Sequence, residues 1–423
     1  MAIIKKINIL GINIDNYNLQ EIEAKFNEFL NSKRGHLVTT PNAEIILKSQ
    51  KDEEYFFTLN KSSLSVLDGF GPKIAGIFMG VNIKRITGVD LCVLLLRFAE
   101  EKNINLAVLN LKNGLSKTEE IENYLKKEYK HLKFKVFESE GNIKDSALIH
   151  EINNFKPQAV IVNFGAPNQE KFILQNLGKI KSLKIGIGVG GAFDFLLEKI
   201  KRAPLIFRKL GLETFWRIIN IFKFSKHKRK ERLRRIANAL FIFPYKFIIW
   251  RFVLPWFYRP NVACLVYKKE QGKTQGAPRV QGVPRIKILI VERQDEKNHW
   301  QIPQGGLEGL SIEKAGMKEL REELNNSDFR KIAVFKNLHK YKFDIDTIRN
   351  RGGFYLNFMG YKGQKQSLLI VEFYGNDSDI SVNYWDHVGW KWVYLEDILD
   401  MMPEYRKEAM KKFIKKFKTL TIK

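Results

Sequence analysis

With 423 residues and 44% hydrophobic side chains, the chain exceeds the roughly 250–300 residues at which one hydrophobic core stops growing, so at least two domains are expected. A formal charge of +26 implies a polyanionic partner: nucleic acid, anionic lipid or a phosphorylated substrate. Two cysteines, Cys92 and Cys264, are too few and too far apart for a disulfide framework or a thiolate metal site, which fits a reducing cytoplasm.

The N-terminal MAIIKKINILGINID runs into Asn and Asp without a small-residue cleavage site and reads as a first strand. Strand-like runs then alternate with helical patterns: HLVTT with AEIILKSQ, INLAVLNL with SKTEEIENYLKKEY, FKVFES with SALIHEINNF, AVIVNFG with QEKFILQNLG. This alternation over residues 1–202 predicts an α/β domain built on a largely parallel, Rossmann-like sheet. Ligands of such sheets bind at the carboxyl ends of the strands. Three turns there carry polar groups: Thr40-Pro41-Asn42, Asp68 in SVLDGFG, and Pro167-Asn168-Gln169-Glu170. Helix N-termini at such turns offer unpaired N–H groups to a diphosphate, and Asp68 is placed to act as a general base. Individually each turn also has a structural role, because Asp-Gly makes turns and Asn and Thr cap helices.

Residues 203–257 break the rhythm and read as a basic, aromatic appendage. From Lys199 to Arg259, seventeen Lys and Arg face only Glu213 and Glu231, which is +15 of the total charge. KFSKHKRKERLRR leads into FIFPYKFIIWRFVLPWFYR, where aromatics interleave with cations, a pattern suited to the headgroup layer of an anionic membrane; a phosphate track on nucleic acid is the rival. Pro244, Lys246, Arg251 and Pro255 interrupt the apolar run, which is read as lying on a membrane and not crossing it.

A second domain, residues 258–423, starts with the strands VACLVYK and IKILIVER, separated by a Gly/Gln/Pro-containing loop, and lacks the βα rhythm; an α+β fold is expected. In HWQIPQGGLEGLSIEKAGMKELREELNN a Gly-rich loop enters a helix on which Glu319, Glu322 and Glu323 share one face. Clustered like charges suit a hard divalent cation such as Mg²⁺ bridging substrate phosphates.

The segments TPNAE, LDGFG, RITGVD, NFGAPNQEKF, IGVGGAFDF, KRAP and GLETFWR occur in the order found in the WecG/TagA/CpsF glycosyltransferases, and residues 7–225 resemble that family. The resemblance implies inverting, metal-independent transfer of an N-acetylmannosamine-type sugar from a UDP donor to a polyprenyl-diphosphate-linked acceptor in cell-surface polysaccharide synthesis. Asp68 would deprotonate the acceptor hydroxyl, Thr40 and Asn42 would shape the pocket, and Arg85 and Gln169 would contact phosphate or acceptor. Arg202, Arg208 and Arg217 would reach the donor diphosphate from the appendage. Thr214 stands where the family has tryptophan. The implied location is peripheral, at the cytoplasmic membrane face, with a homo-oligomer among the expected partners.

Residues 258–417 resemble Nudix hydrolases, and YRPNVACLVY, WQIPQGG, GYKGQKQ and WDHVGWKWV are similar to the RNA pyrophosphohydrolase and dinucleoside-polyphosphate hydrolase branch. Glu319, Glu322 and Glu323 would hold Mg²⁺ and help activate water, with Asp386 as a further ligand. Leu310 replaces a glutamate, Lys318 an arginine and Asn325 a glycine, and the box is one residue short after Gly306. Two readings stay open: hydrolysis of a nucleoside diphosphate-linked compound or an RNA 5′ end, or a catalytically weak nucleotide- or RNA-binding module that regulates the transferase.

Overall fold

The computed structural model describes residues 6–200, 226–270, 285–294, 296–343 and 360–421. The chain divides between Arg251 and Phe252 into two compact units. Arg202, Arg208, Arg217 and Thr214 lie outside the described residues.

The first unit opens with β1 (Lys6–Ile9) and β2 (Ile12–Asp15), joined by Leu10 and Gly11 at φ 51° and 85°. Two positive φ values make a two-residue hairpin turn, which returns the chain antiparallel. The expected first strand therefore exists but sits in its own two-stranded sheet, because a parallel neighbour needs a long crossover.

The central sheet comprises β3 (His36–Thr39), β4 (Leu64–Ser65), β5 (Asn105–Leu111), β6 (Lys133–Ser139), β7 (Ala159–Asn163) and β8 (Ile185–Gly188), all parallel, in the order β4-β3-β8-β7-β5-β6. Helices α1 (Leu19–Leu30), α2 (Ala43–Ser49), α3 (Glu53–Asn60), α4 (Phe70–Phe78), α5 (Gly88–Glu101), α6 (Thr118–Glu128), α7 (Ser146–Phe155), α8 (Asn168–Asn176) and α9 (Ala192–Leu196) connect and cover it. Alternation along β5 sends Leu106 and Val108 into one core with Phe26, Leu95 and Ile187, and Ala107 and Leu109 into another with Phe137, Val160 and Phe172. Both faces are buried, as parallel sheets require. The chain leaves β3 for the outer β4 and then crosses to β5 beyond β8 and β7, so the carboxyl ends of β3, β4, β7 and β8 border a topological switch.

The described appendage belongs to this unit as far as Arg251. It runs through α10 (Lys226–Ala237), a π turn, α11 (Phe243–Ile248) and further tight turns as far as Trp256. Pro244 and Pro255 stand inside this continuous run, where its hydrogen bonding passes from π to α and from π to 3₁₀, and neither ends it. Consequently Leu233–Trp256 meets the length and composition of a membrane-crossing helix, contrary to the reading of those prolines as interruptions; only 17% of that window is buried. Ile236, Phe243 and Phe247 turn inward, and Phe243 closes against Gly71 of α4, where an added Cβ would stand 3.4 Å from its ring.

The second unit is a seven-stranded mixed sheet. It contains β9 (Arg259–Glu270), β10 (Arg285–Arg293), β11 (Trp300–Gln301), β12 (Gln304–Gly306), β13 (Phe329–Lys342), β14 (Gly363–Phe373) and β15 (His387–Tyr394). Only β9 and β14 pair in parallel. Helix α12 (Ile312–Leu324) covers one face through Leu320 and Leu324 against Val262, Leu289 and Val371. Helix α13 (Glu404–Thr421) covers the other through Met410, Phe413 and Phe417 against Leu265, Ile288 and Ile370. This is the α+β arrangement the sequence predicts.

Candidate functional sites

In the first unit the polar turns gather at the strand ends. Thr40 follows β3 and is buried, while Asp68 follows β4 and is half-buried. The Asp68 amide donates to the Pro41 carbonyl at 3.1 Å, which binds the two turns together. Gly69, at φ 105°, lets the chain turn into α4 with its Cβ position only 3.3 Å from that of Asn42. The Asp68 Oδ2 atom accepts from the Gly88 amide, 3.4 Å away at the start of α5, so the carboxylate lies at the positive end of that helix. A Cβ on Gly88 would stand 3.5 Å from both Thr40 Oγ1 and the Val189 carbonyl, which brings the loop after β8 to the same place.

Arg85 is half-buried in the segment leading to α5, and the neighbouring Ile86 amide donates to Leu67 at 2.9 Å, tying that segment beside Asp68. Two other residues expected in the pocket have internal duties. Asn42 caps α2, its side chain accepting from the Ile45 amide at 3.0 Å. Gln169 is 2% exposed; its Oε1 accepts from Gly165 at 3.0 Å and Gly190 at 2.8 Å, and its Nε2 donates to Glu170 at 2.7 Å. Its amide is thus engaged with protein on both sides.

Glu170 stands in the first turn of α8, where an acid usually faces solvent at the positive end of the helix. It is fully buried and also accepts from the Tyr55 hydroxyl at 3.1 Å. Burial pushes its carboxyl up to about 7, against the pull of Gln169, Tyr55 and Lys48. Nothing in the sequence marks Tyr55 as its partner.

In the second unit the PQGG loop lies along α12. A Cβ on Gly305 would stand 1.8 Å from the Glu319 carboxyl carbon, so only glycine lets that carboxylate pack on the loop. Glu323 is buried; its Oε1 accepts from the Gln304 amide at 3.4 Å and its Oε2 lies 3.2 Å from His387 Nε2. Burial raises the Glu323 carboxyl, while His387 lowers it. The imidazole is shifted upward: burial opposes its charge, but Glu323 and Asp386 together outweigh that. Asp386 shares a turn with Asn383, whose Oδ1 accepts the Asp386 amide at 2.9 Å and whose Nδ2 donates to the Glu322 carbonyl at 3.1 Å.

Glu322 is exposed, and Lys318 stands 3.4 Å from it and 2.9 Å from Glu308. The lysine thereby reaches two carboxylates with one ammonium, where an arginine fork would orient a single one bidentately. Asn325 ends α12 at φ 48° and ψ 34°, the left-handed conformation that the family glycine supplies. Glu319 and Glu323 are buried oxygen donors beside a glycine floor, a set that fits a hard divalent cation. His387 escaped the sequence reading, although its place directly after Asp386 was a signal.

A family model described as "Glycosyl transferase WecG/TagA/CpsF family" matches residues 7–252, and a "NUDIX domain" model matches residues 258–417. The first match takes in the appendage beyond residue 225. Over 244 residues the chain is 30% identical to the N-acetylglucosaminyldiphosphoundecaprenol N-acetyl-beta-D-mannosaminyltransferases of Staphylococcus aureus strains MRSA252 and MW2, covering 57% of this chain and 91% of each relative. Among solved structures, a C. elegans Ap4A hydrolase binary complex matches 37% of this chain and 94% of its own, at 16% identity and TM-score 0.26. The E. coli dihydroneopterin triphosphate pyrophosphohydrolase matches 37% and 97%, at 16% identity and TM-score 0.25.

Proposed function

This chain belongs to the WecG/TagA/CpsF glycosyl transferase family and carries a NUDIX domain behind it; from that premise we propose that its first unit transfers N-acetylmannosamine, or a closely related sugar, from a UDP donor to a polyprenyl-diphosphate-linked N-acetylglucosamine. The observation that carries this reading is the convergence of Thr40, Asp68 and the Val189 carbonyl around the start of α5. Asp68 takes the proton of the acceptor hydroxyl as that oxygen attacks the anomeric carbon, and UDP leaves from the opposite face with inversion. Leaving-group charge falls to cationic side chains, Arg85 and the arginines Arg202, Arg208 and Arg217, in place of a metal. Thr40 and Asn42 form the wall beside Asp68, Asn42 chiefly by shaping the start of α2.

The acceptor's lipid places the reaction at a membrane. Phe241, Tyr245 and Ile248 recur at helical spacing and are 69%, 64% and 53% exposed, and Ile77 and Phe78 on α4 are exposed as well. With the basic α10 in front of them, these side chains suit peripheral docking on anionic lipid at the cytoplasmic face. Flotation with phosphatidylglycerol vesicles tests this: Phe241→Ser with Tyr245→Ser should weaken recovery at least about tenfold, by loss of buried apolar area. Undiminished recovery counts against the docking face.

For the second unit the reading is hydrolysis of a nucleoside diphosphate-linked compound or a triphosphorylated RNA 5′ end. Glu319, Glu322 and Glu323, with Asp386 nearby, would hold Mg²⁺, which supplies charge neutralisation at the substrate phosphates. One observation favours the rival, a nucleotide-binding regulatory module: the Lys318 ammonium already faces Glu322 and the His387 imidazole already faces Glu323, so the chain's own side chains compete for two of the three carboxylates.

The deciding experiment is UDP release by the full-length protein from UDP-N-acetylmannosamine, with and without a short-chain polyprenyl-diphosphate-N-acetylglucosamine acceptor, in EDTA. Acceptor-dependent release that vanishes in Asp68→Asn supports the transferase and its metal independence. Full release from Asp68→Asn would sink the mechanism.

A further inference from the structure

Glu170 sits where α3 and α8 meet beneath the strand ends, and every polar contact around it has a direction. One oxygen takes the Tyr55 hydroxyl and the other takes the Gln169 Nε2 amide. A carboxylate only accepts hydrogen bonds, so it decides which way the Gln169 amide stands: nitrogen toward Glu170, oxygen away. That oxygen is then the acceptor for two backbone amides, Gly165 after β7 and Gly190 after β8. A reversed amide would set its NH₂ group against both N–H donors. The side chain packs directly on the glycine loop, because a Cβ on Gly188 would stand 2.7 Å from Gln169 Cγ. The Val189 carbonyl, one residue before Gly190, lies at the start of α5, where the Gly88 amide meets Asp68.

We propose that Glu170 and Tyr55 are positioning residues for sugar transfer: they hold Gln169 in the one amide orientation that pins the glycine loop 188–191 beside Asp68. The proposal rests on the transferase reading of the first unit. A buried acid is expensive to keep, and a tie that needed only volume and neutral hydrogen bonding would be served by an amide. What the ionised carboxylate adds is an acceptor on both oxygens, where an amide has one oxygen and one NH₂ group. Glu170 touches neither Asp68 nor any group placed to meet substrate, so its effect travels through Gln169.

The test uses the full-length protein and three variants: Glu170→Gln, Tyr55→Phe, and the transposed double substitution Gln169→Glu with Glu170→Gln. Transposition keeps the donor and acceptor pattern, since a carboxylate at 169 accepts from both glycine amides and from the amide at 170. Glu170→Gln should lower kcat for acceptor-dependent UDP release on the order of tenfold to hundredfold, and the transposed pair should recover most of it. Wild-type kcat in Glu170→Gln would overturn the proposal. So would a transposed pair that regains the wild-type Tm without regaining kcat, for then the Gln169 amide itself meets substrate. If Glu170→Gln does not fold, Tyr55→Phe carries the same reading with a several-fold loss. Hydrogen exchange at the Gly165 and Gly190 amides is followed in the same samples. It should quicken roughly five- to tenfold in Glu170→Gln, the worth of one hydrogen bond, and slow again on transposition. Unchanged exchange overturns the proposal whatever the activity, whereas altered exchange in a protein that transfers no sugar sinks the transferase reading alone.

Discussion

The two units keep their carboxylates in different company. In the first, backbone and side-chain donors without charge reach both Asp68 and Glu170, the Gly88 amide among those at the one, the Gln169 amide and the Tyr55 hydroxyl at the other. In the second, Glu322 and Glu323 are met by the Lys318 ammonium and the His387 imidazole. Fixed amides neutralise a lone carboxylate without an ion, so a base at a helix N-terminus can work unaided. Three acidic groups within two helical turns exceed what amides can serve and call for cations, from the chain or from solution. The metal independence proposed for the one site and the metal dependence proposed for the other would then follow from the number of charges gathered.

The largest effect expected from breaking this contrast is at Asp68. Asp68→Asn should cut acceptor-dependent UDP release roughly 10²–10⁴-fold, the usual worth of a general base, with EDTA making no difference to either protein. A drop on adding EDTA would show that the first site also borrows a cation. Next comes the paired substitution Glu322→Gln with Glu323→Gln, which should lower Mg²⁺-dependent phosphate release at least about tenfold and leave sugar transfer untouched. Equal loss of both activities would show that the units do not act separately.

A smaller effect separates buried from exposed acids. Glu170 moves from 4.5 to about 7 because it is buried, in the company of Lys48 on α2 and of the Lys171 ion pairs to Asp52 and Glu54. A pKa raised in the folded state means that the fold holds the proton more tightly than the unfolded chain. Its contribution to stability is therefore greatest below about 4.5 and is lost as pH rises toward about 7. Glu170→Gln should flatten that part of the Tm–pH curve; an unchanged slope would place the titration elsewhere. The smallest expected change is at Asn42, where loss of the cap on α2 in Asn42→Ala should cost about 1 kcal/mol by thermal unfolding. A loss of transfer far beyond that would restore Asn42 as a direct substrate contact.

Much of this was legible in order along the chain. The alternation of β-branched runs with 3.6-residue periodicity foretold β3, β5, β6 and β7 with their following helices, because both patterns are local. The order of short motifs pointed to both families, and Asp68 and the glutamate helix fell where strand–helix junctions put them. Less legible were Gln169, read as a substrate contact, and Glu170, read past: both stand in a first helical turn, where exposure is the usual condition. Their burial depends on α3 and on the glycine loop after β8, separated in sequence. The membrane-length run was likewise discounted on its prolines, which the changes to π and 3₁₀ geometry around them absorb.

By itself, then, the sequence determined the two-unit order, the parallel sheet of the first, the helix that carries Glu319, Glu322 and Glu323, and the charge of the appendage, all of which follow from composition and short-range period. Tertiary structure alone decided that the first hairpin forms its own two-stranded sheet and bridges to the central one only at Asp15 and Val66, that α11 closes over α4, that His387 faces Glu323, and that a buried glutamate meets the amide that holds the glycine loop after β8. These are contacts between distant segments, and the hydrogen-bonding direction of a side chain is specified only when its partners have arrived.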